Sequence, residues 1–249
     1  LHEHKARLTF AQQALALTDD DTDLTVLIRL YYEVIQAHFD LNELNEGEVL
    51  LQRALAVCST TSRVGVTNDH PLRCLLIGSL ADLDERRGKV EDAVIKYQDC
   101  LAECRLLANP TPSITTEQKG VTLEMRCTCL SFLVKLRTVR GELAEAKALW
   151  EEHKEVVSQL YPKSGFPRGK GIVGENYCLL ADLEFAQGRY QQAQLAYYEA
   201  LSLFESLSAD NYLAQKNIYV CCNSLAVVYQ AAGEIHRAKT YAEKAVSQL

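Results

Sequence analysis

The segment from Leu180 to Ala200 reads LADLEFAQGRYQQAQLAYYEA, and its pattern recurs along the chain. A Leu followed by a small residue comes first, and Gly188 stands seven residues after the small residue. Glycine readily adopts the left-handed conformation that ends many helices. Ala193, Tyr197 and Ala200 then follow at spacings of four and three, which place them on one face of a second helix. The segment therefore predicts two helices joined by a tight turn.

The same template occurs in four copies and in a weaker fifth copy. The turn residues of the five copies are Asn42, Gly88, Gly141, Gly188 and Gly233. Successive turn residues are 46, 53, 47 and 45 residues apart. The excess over a compact helix pair falls at about residues 59–71, 108–120, 161–174 and 208–215, where either long helices or long loops would account for it. The predicted repeats span about residues 24–58, 72–107, 121–158, 174–207 and 216–249, and residues 1–18 are interpreted as the second helix of a preceding repeat.

Composition indicates an all-α fold in a single array of 249 residues. Hydrophobic residues make up 48% of the chain, which is enough for a packed core, and 5 Pro and 12 Gly leave long stretches free for helix. The formal net charge of −7 is unfavourable for binding a phosphate backbone, so we expect no nucleic-acid partner. No apolar run approaches the length of about 18 residues that a membrane span needs, so we expect no membrane insertion.

The pattern of a Leu–small pair, a turn glycine, an alanine, an aromatic residue and another alanine resembles the tetratricopeptide repeat (TPR). The resemblance covers nearly the whole chain and implies a right-handed superhelical solenoid of antiparallel helix pairs. The period exceeds the usual one of about 34 residues, as it does in the kinesin light chain family. Asn68-Asp69-His70-Pro71 and the segment from Asn223 to Tyr229 are also similar to that family. The resemblance implies a non-enzymatic adaptor that binds other proteins.

In this family the first helix of each pair lines the concave surface, which implies a set of candidate partner-binding residues. The set comprises Gln36, Phe39, Asp82, Arg86, Lys135, Asp182, Phe185, Asn223 and Gln230. We expect Asn223 to hydrogen-bond a partner's backbone and Asp182 to favour a basic side chain. TPR domains that clamp a terminal carboxylate need several basic residues here, and Asp82 and Asp182 argue against that specialisation.

Nine cysteines are scattered through the helical pattern without paired Cys-x-x-Cys spacing. We therefore expect buried, reduced thiols, no metal site and no cofactor. The segment from Gly165 to Gly171 lacks the spacing of a phosphate-binding loop, so nucleotide binding is not expected. It is interpreted as a flexible basic loop, and Lys163, Arg168 and Lys170 are candidate contacts for an acidic partner.

The function predicted from sequence is a protein–protein interaction module that binds a peptide or helix in its groove. One alternative is a structural scaffold that self-associates into a homo-oligomer, or assembles a larger complex, through the ends of the solenoid. Another is a peptide-sensing regulator. Enzymatic activity is not expected. Reduced cysteines favour a cytosolic or nuclear compartment, of which we expect the cytoplasm, and the resemblance to kinesin light chains implies association with the cytoskeleton. Because the chain starts at Leu1 within an amphipathic pattern, we expect it to be a fragment of a longer protein.

Overall fold

The computed structural model describes residues 2–19, 22–60, 71–107, 116–161, 167–207 and 212–247. These residues form eleven α-helices: α1 (His2–Ala16), α2 (Leu24–Asp40), α3 (Leu44–Thr60), α4 (Pro71–Arg86), α5 (Val90–Leu107), α6 (Thr116–Val139), α7 (Leu143–Leu160), α8 (Pro167–Ala186), α9 (Tyr190–Glu205), α10 (Tyr212–Ala231) and α11 (Ile235–Val246). Among these helices, none is both long and apolar enough to cross a membrane. The all-helical prediction is confirmed.

The turn residues predicted from sequence each end a first helix. Asn42 has φ 61°, and the four turn glycines have φ between 73° and 79°. At Gly188 the chain closes the helix with two backbone bonds, from Gly188 N to the Phe185 carbonyl at 2.9 Å and from Arg189 N to the Glu184 carbonyl at 2.9 Å. Glycine has no Cβ to clash in this conformation, and asparagine adopts it more readily than most residues because its short side chain can hydrogen-bond locally. The five resulting pairs are α2–α3, α4–α5, α6–α7, α8–α9 and α10–α11.

The chain divides into two compact units. Unit 1 comprises Leu1–Cys129 and unit 2 comprises Leu130–Leu249, so α6 contributes its first part to unit 1 and its last part to unit 2. In unit 1, α1 is tied to α2 by Arg7, which donates to Glu33 at 2.6 Å. Ala81 of α4 and Ala93 of α5 are fully buried, as the small positions of the template require.

The core of unit 2 is built from the positions that the template identified. Ala181 and Leu225 of the first helices and Ala193, Tyr197 and Ala200 of α9 lie in one buried cluster. The small residues allow the two helices of a pair to approach closely, and the larger side chains fill the remaining space. Trp150 of α7 occupies the same template position as Tyr197, and it is also buried.

Longer first helices account for part of the extended period. The first helices α6, α8 and α10 have 24, 20 and 20 residues, and they include residues 116–120, 167–174 and 212–215 of the segments whose structure the sequence left open. Pro71 is the first residue of α4, while Asn68, Asp69 and His70 lie outside the described residues. Proline suits the first position of a helix because its missing N–H has no partner there in any case.

A buried histidine gives unit 2 a predicted dependence on pH. His153 of α7 is almost fully buried, and its Nδ1 lies 2.9 Å from Oδ1 of Asn176 of α8. Burial lowers the pKa of His153 below 6.5, although the hydrogen bond with Asn176 opposes this shift. The unfolded chain therefore binds the proton more readily than the folded chain as the pH falls below 6.5.

We expect the stabilisation by neutral His153 to be complete above pH 6.5 and to be lost progressively as the pH falls from 6.5 towards the lowered pKa. Thermal unfolding of the wild type and of His153→Gln across this range measures the effect. The difference in Tm should shrink at acidic pH, because glutamine does not titrate. The control is His236→Gln, an exposed position on α11, which should follow the wild-type curve. Parallel curves for wild type and His153→Gln would contradict this prediction.

Candidate functional site

In unit 2, acidic and amide side chains line the first helices. Glu175 and Asp182 are seven residues apart on α8, which places them on one helix face at a separation of about 10 Å along the axis. Asn217 and Ser224 have the same spacing on the neighbouring helix α10. We call these four residues, together with Lys135 of α6, the acidic floor of unit 2.

Asp182 is held in a fixed position by the second helix of its own pair. Its Oδ1 accepts a hydrogen bond from the hydroxyl of Tyr197, and Ser224 lies beside the same hydroxyl. Burial raises the pKa of Asp182, and the Tyr197 hydrogen bond and the charge of Lys135 partly offset the increase. Asp182 is therefore a pre-oriented carboxylate with one oxygen engaged inside the protein.

Glu175 is exposed to solvent and yet strongly desolvated. Burial by the surrounding protein raises the pKa of Glu175, while Lys135, a hydrogen bond with Asn217, and Lys216 lower it. Protein surrounds Glu175 on several sides although its side chain reaches water, so its exposed area alone understates its desolvation. Glu175 and Asp182 are thus two partly desolvated carboxylates, and their negative potential favours cationic side chains.

The sequence template identified only part of this floor. It singled out Asp182 and Lys135, but not Glu175, Asn217 or the hydroxyl of Tyr197. Glu175 and Asn217 precede their Leu–small pairs by five and eight residues, where the template fixes no residue. A signal was available in the sequence, because Glu175 and Asp182 share a helical face.

In unit 1, the predicted groove residues are engaged with one another. Arg86 donates to Oδ1 of Asp82 and to the carbonyl oxygen of Phe39, each at 2.9 Å, and its guanidinium lies 5.6 Å from the centre of the Phe39 ring. Gln36 donates to Ser79 at 3.3 Å. Phe39 is only 1% exposed, so its side chain packs in the core instead of lining a surface. Burial, followed by the charges of Glu33 and Asp82, raises the pKa of Tyr32 to about 12.

The remaining candidates of unit 2 lie on other parts of the first helices. Phe185 is half-buried and packs against Tyr190 with 5.8 Å between ring centres. Asn223 and Gln230 are exposed on the stripe of α10 that also carries Val220 and Val227. Because Asn223 and Ser224 are adjacent on a helix, their side chains point about 100° apart. Asn223 therefore lies on a different stripe of α10 from the residues of the acidic floor.

The predicted basic loop is partly helix, so that interpretation was wrong for residues 167–171. Pro167 begins α8, and Gly169 is buried against Tyr161, whose Cδ1 would lie 3.1 Å from a Cβ at this position. The glycine thus permits close packing and does not indicate flexibility. Lys170 donates to Oγ of Ser206 at 3.1 Å. Lys163 and the side chain of Arg168 lie outside the described residues.

Unit 1 contains a cluster of thiols that could hold a metal ion. The Sγ atoms of Cys74 on α4 and of Cys100 and Cys104 on α5 all lie within 4.8 Å of one another. The three side chains are fully buried. Cysteine spacing in the sequence could not reveal this cluster, because the packing of α4 against α5 brings Cys74 to the other two.

Comparisons with known proteins agree with the helix-pair architecture. The profile of the tetratricopeptide-repeat family matches residues 220–247. The crystal structure of BtubC (BKLC) from P. vanneervenii is similar, with a TM-score of 0.65 and 16% identity over 99% of this chain and 88% of that chain. A protein from Podosopora anserina described as a kinesin light chain with nearly identical TPR-like repeats gives a TM-score of 0.56 and 19% identity, over 89% of this chain and 94% of that chain. A variant of that protein gives a TM-score of 0.57 and 20% identity, over 89% and 93% of the two chains. No curated protein sequence matches.

Proposed function

We propose that this chain is an interaction module of the tetratricopeptide-repeat type, and that the acidic floor of unit 2 binds a basic segment of a partner protein. The TPR-like fold supports a protein-interaction or scaffold role in general. The observation that favours a basic ligand is the desolvation of Glu175 and Asp182, whose pKa values are both raised by burial. A cationic side chain placed between them would offset the cost of keeping both carboxylates ionised.

Amide and hydroxyl groups complete the proposed recognition. Asn217 has both a donor and an acceptor, and its hydrogen bond with Glu175 positions it beside the carboxylate. Ser224 lies about two helical turns after Asn217 on α10, near the Tyr197 hydroxyl. These groups could hydrogen-bond the backbone of an extended segment, while the carboxylates select Lys or Arg. We assign the binding of the partner to the acidic floor of unit 2. Asp82 and Arg86 of unit 1 have no proposed role in this binding, because their charges are paired with each other.

The test is the selection of peptides from a random display library on the full chain, followed by affinity measurements with the selected sequences. We expect enrichment of Lys and Arg, and an affinity loss of about thirtyfold or more for Asp182→Asn, since truncating a partly buried charge partner costs about 2–5 kcal/mol. Asparagine at position 182 keeps an oxygen that can accept the hydrogen bond from the Tyr197 hydroxyl. Because the substitution also removes a desolvated charge, we expect the Tm of the variant to equal or slightly exceed that of the wild type. Glu199→Gln, an exposed change on α9 with the same loss of charge, is the control. Equal binding to both variants would contradict the proposal.

The raised pKa values also predict how binding depends on pH. Glu175 and Asp182 attract a cation only when they are ionised, and burial raises their pKa values above the ordinary 4.5 and 3.8. We expect affinity for a Lys- or Arg-rich peptide to fall as the pH descends through these raised values. The fall should begin at a higher pH than for a peptide bound by exposed carboxylates. An affinity that does not change between neutral pH and pH 4 would argue against a role for either group.

A second candidate function is self-association, and it is favoured by exposed apolar residues on the last helix pair. Val227 of α10 and Ile235 and Val246 of α11 have exposed large side chains. Ile235 and Val246 lie eleven residues apart, so they share one stripe of α11. Exposed apolar groups of this kind favour contact with another protein surface. Light scattering over a range of concentrations tests this candidate, and a constant monomer mass would exclude it.

A further inference from the structure

Four cysteines from three consecutive helices of unit 1 converge in the core. Cys74 lies on α4, Cys100 and Cys104 lie one helical turn apart on α5, and these three sulfurs are within 4.8 Å of one another. Cys129 of α6 lies outside this group of three mutually close sulfurs and adjoins it through Cys100, with which it shares a hydrogen bond. All four side chains are fully buried. The cluster belongs to unit 1 and is independent of the acidic floor of unit 2.

Ordinary core packing does not require this arrangement of sulfur atoms. A buried cysteine behaves as a small apolar side chain, and it can pack against carbon as well as against sulfur. Here three sulfurs lie close to one another, and those of Cys100 and Cys74 also contact oxygen atoms. Cys100 Sγ lies 3.4 Å from the carbonyl oxygen of Cys74, and Cys74 Sγ lies 3.9 Å from Oε2 of Glu103, which is paired with Arg73 at 2.9 Å. A soft cation at the centre of the sulfurs would give each of them a strong partner.

We propose that Cys74, Cys100, Cys104 and Cys129 bind one Zn²⁺ ion as a buried structural site. Zinc in structural sites is tetrahedral and accepts four thiolates at about 2.3 Å, which corresponds to sulfur–sulfur separations of about 3.8 Å. The three closest sulfurs lie within 4.8 Å of one another, so each sulfur–sulfur distance would shorten by at most about 1 Å to reach this separation. On binding, four S–H groups lose their protons to solvent and four Zn–S bonds form, so neither oxidant nor reductant is needed.

This site would link α4, α5 and the first part of α6. The spacing of Cys100 and Cys104 supplies two ligands from one face of α5, Cys74 supplies one from α4 of the same pair, and Cys129 supplies one from α6. Because all four side chains are buried, the metal would enter during folding, and its binding energy would add to the stability of the fold.

The test uses the full chain, unfolded with a chelator and a thiol reductant and then refolded with or without ZnCl₂. We expect one zinc per chain by elemental mass spectrometry after desalting, and a higher Tm for the zinc-refolded protein. Cys104→Ser should lose the bound zinc and the zinc-dependent rise in Tm. Cys222→Ser is the matched control, because Cys222 is equally buried but lies in unit 2.

A second measurement keeps the proposal testable if Cys104→Ser does not fold. Wild-type protein refolded with Co²⁺ should show the thiolate-to-cobalt charge-transfer absorption of a tetrahedral thiolate site, and added Zn²⁺ should abolish it. The proposal would be overturned by wild-type protein that folds without retaining zinc or showing this absorption. It would equally be overturned by zinc that persists in Cys104→Ser, or by exclusive uptake of Cu⁺ when both metals are offered under reducing conditions.

Discussion

Replacing Phe204 by alanine is expected to lower the free energy of unfolding by about 3–5 kcal/mol. Phe204 is 1% exposed and lies in the largest buried cluster of unit 2. Its ring fills the space above Gly174 of α8, where a Cβ would lie only 2.7 Å from Cε1 and Cζ. Removing the ring leaves a cavity between α8 and α9 that the helices cannot close without moving apart.

Urea titration followed by circular dichroism measures this effect, and two variants make it specific. Leu195→Ala lies on the same helix at 66% exposure, so its effect should stay within about 0.5 kcal/mol. Gly174→Ala should destabilise the wild type through the contact with Phe204, but it should be tolerated in the Phe204→Ala background, where the clash is gone and the helix propensity of alanine is about 1 kcal/mol better. Additive effects of the two changes would show that Phe204 and Gly174 do not pack as described.

Trp150→Ala is expected to have a similar effect, of about 3–5 kcal/mol, because Trp150 connects two helix pairs. Its indole packs against Val134 of α6 in its own pair and against Leu179 of α8 in the next pair. The Nε1–H donates to the carbonyl oxygen of Asn176 at 3.2 Å. The aromatic position of the template thus fills the space between two neighbouring pairs at Trp150.

Trp150→Phe separates packing from hydrogen bonding at this position. Phenylalanine keeps most of the apolar contact with Val134 and Leu179, but it loses the hydrogen bond to the Asn176 carbonyl, which contributes about 0.5–1.5 kcal/mol. The expected order of stability is therefore wild type, then Trp150→Phe, then Trp150→Ala, in urea titrations. If Trp150→Ala were no less stable than Trp150→Phe, the indole would not fill the groove between the pairs.

The architecture of the repeats could be predicted from sequence because each turn needs one unusual backbone conformation. Glycine at four of the turns, and Asn42 at the first, identified the ends of the first helices, and the buried Ala193 and Ala200 followed from helical spacing. The same local reasoning misread Gly169 as a mark of a flexible loop. Its lack of a side chain serves close packing against Tyr161, which depends on tertiary contacts that local sequence does not specify.

The candidate sites were less predictable, because they depend on which helices become neighbours. Asp182 was identified from its place beside the Leu–small pair, but Glu175 precedes that pair by five residues, where the template fixes no residue. Phe39 was identified by the same reasoning and yet is buried in the core. Cys74 is 26 residues from Cys100, and only the pairing of α4 with α5 brings their sulfurs together. Contacts of this kind follow from the packed helices and cannot be read from spacing alone.

The most direct test of the proposed function is hydrogen exchange, followed by mass spectrometry, on the full chain with and without a selected Lys- or Arg-rich peptide. We predict slower exchange in residues 175–182 of α8 and 217–224 of α10, and unchanged exchange in α9 and α11. The same peptide should cause no protection in Asp182→Asn at an equal concentration. Protection confined to the second helices, or to unit 1, would contradict the claim that the acidic floor of unit 2 binds the partner.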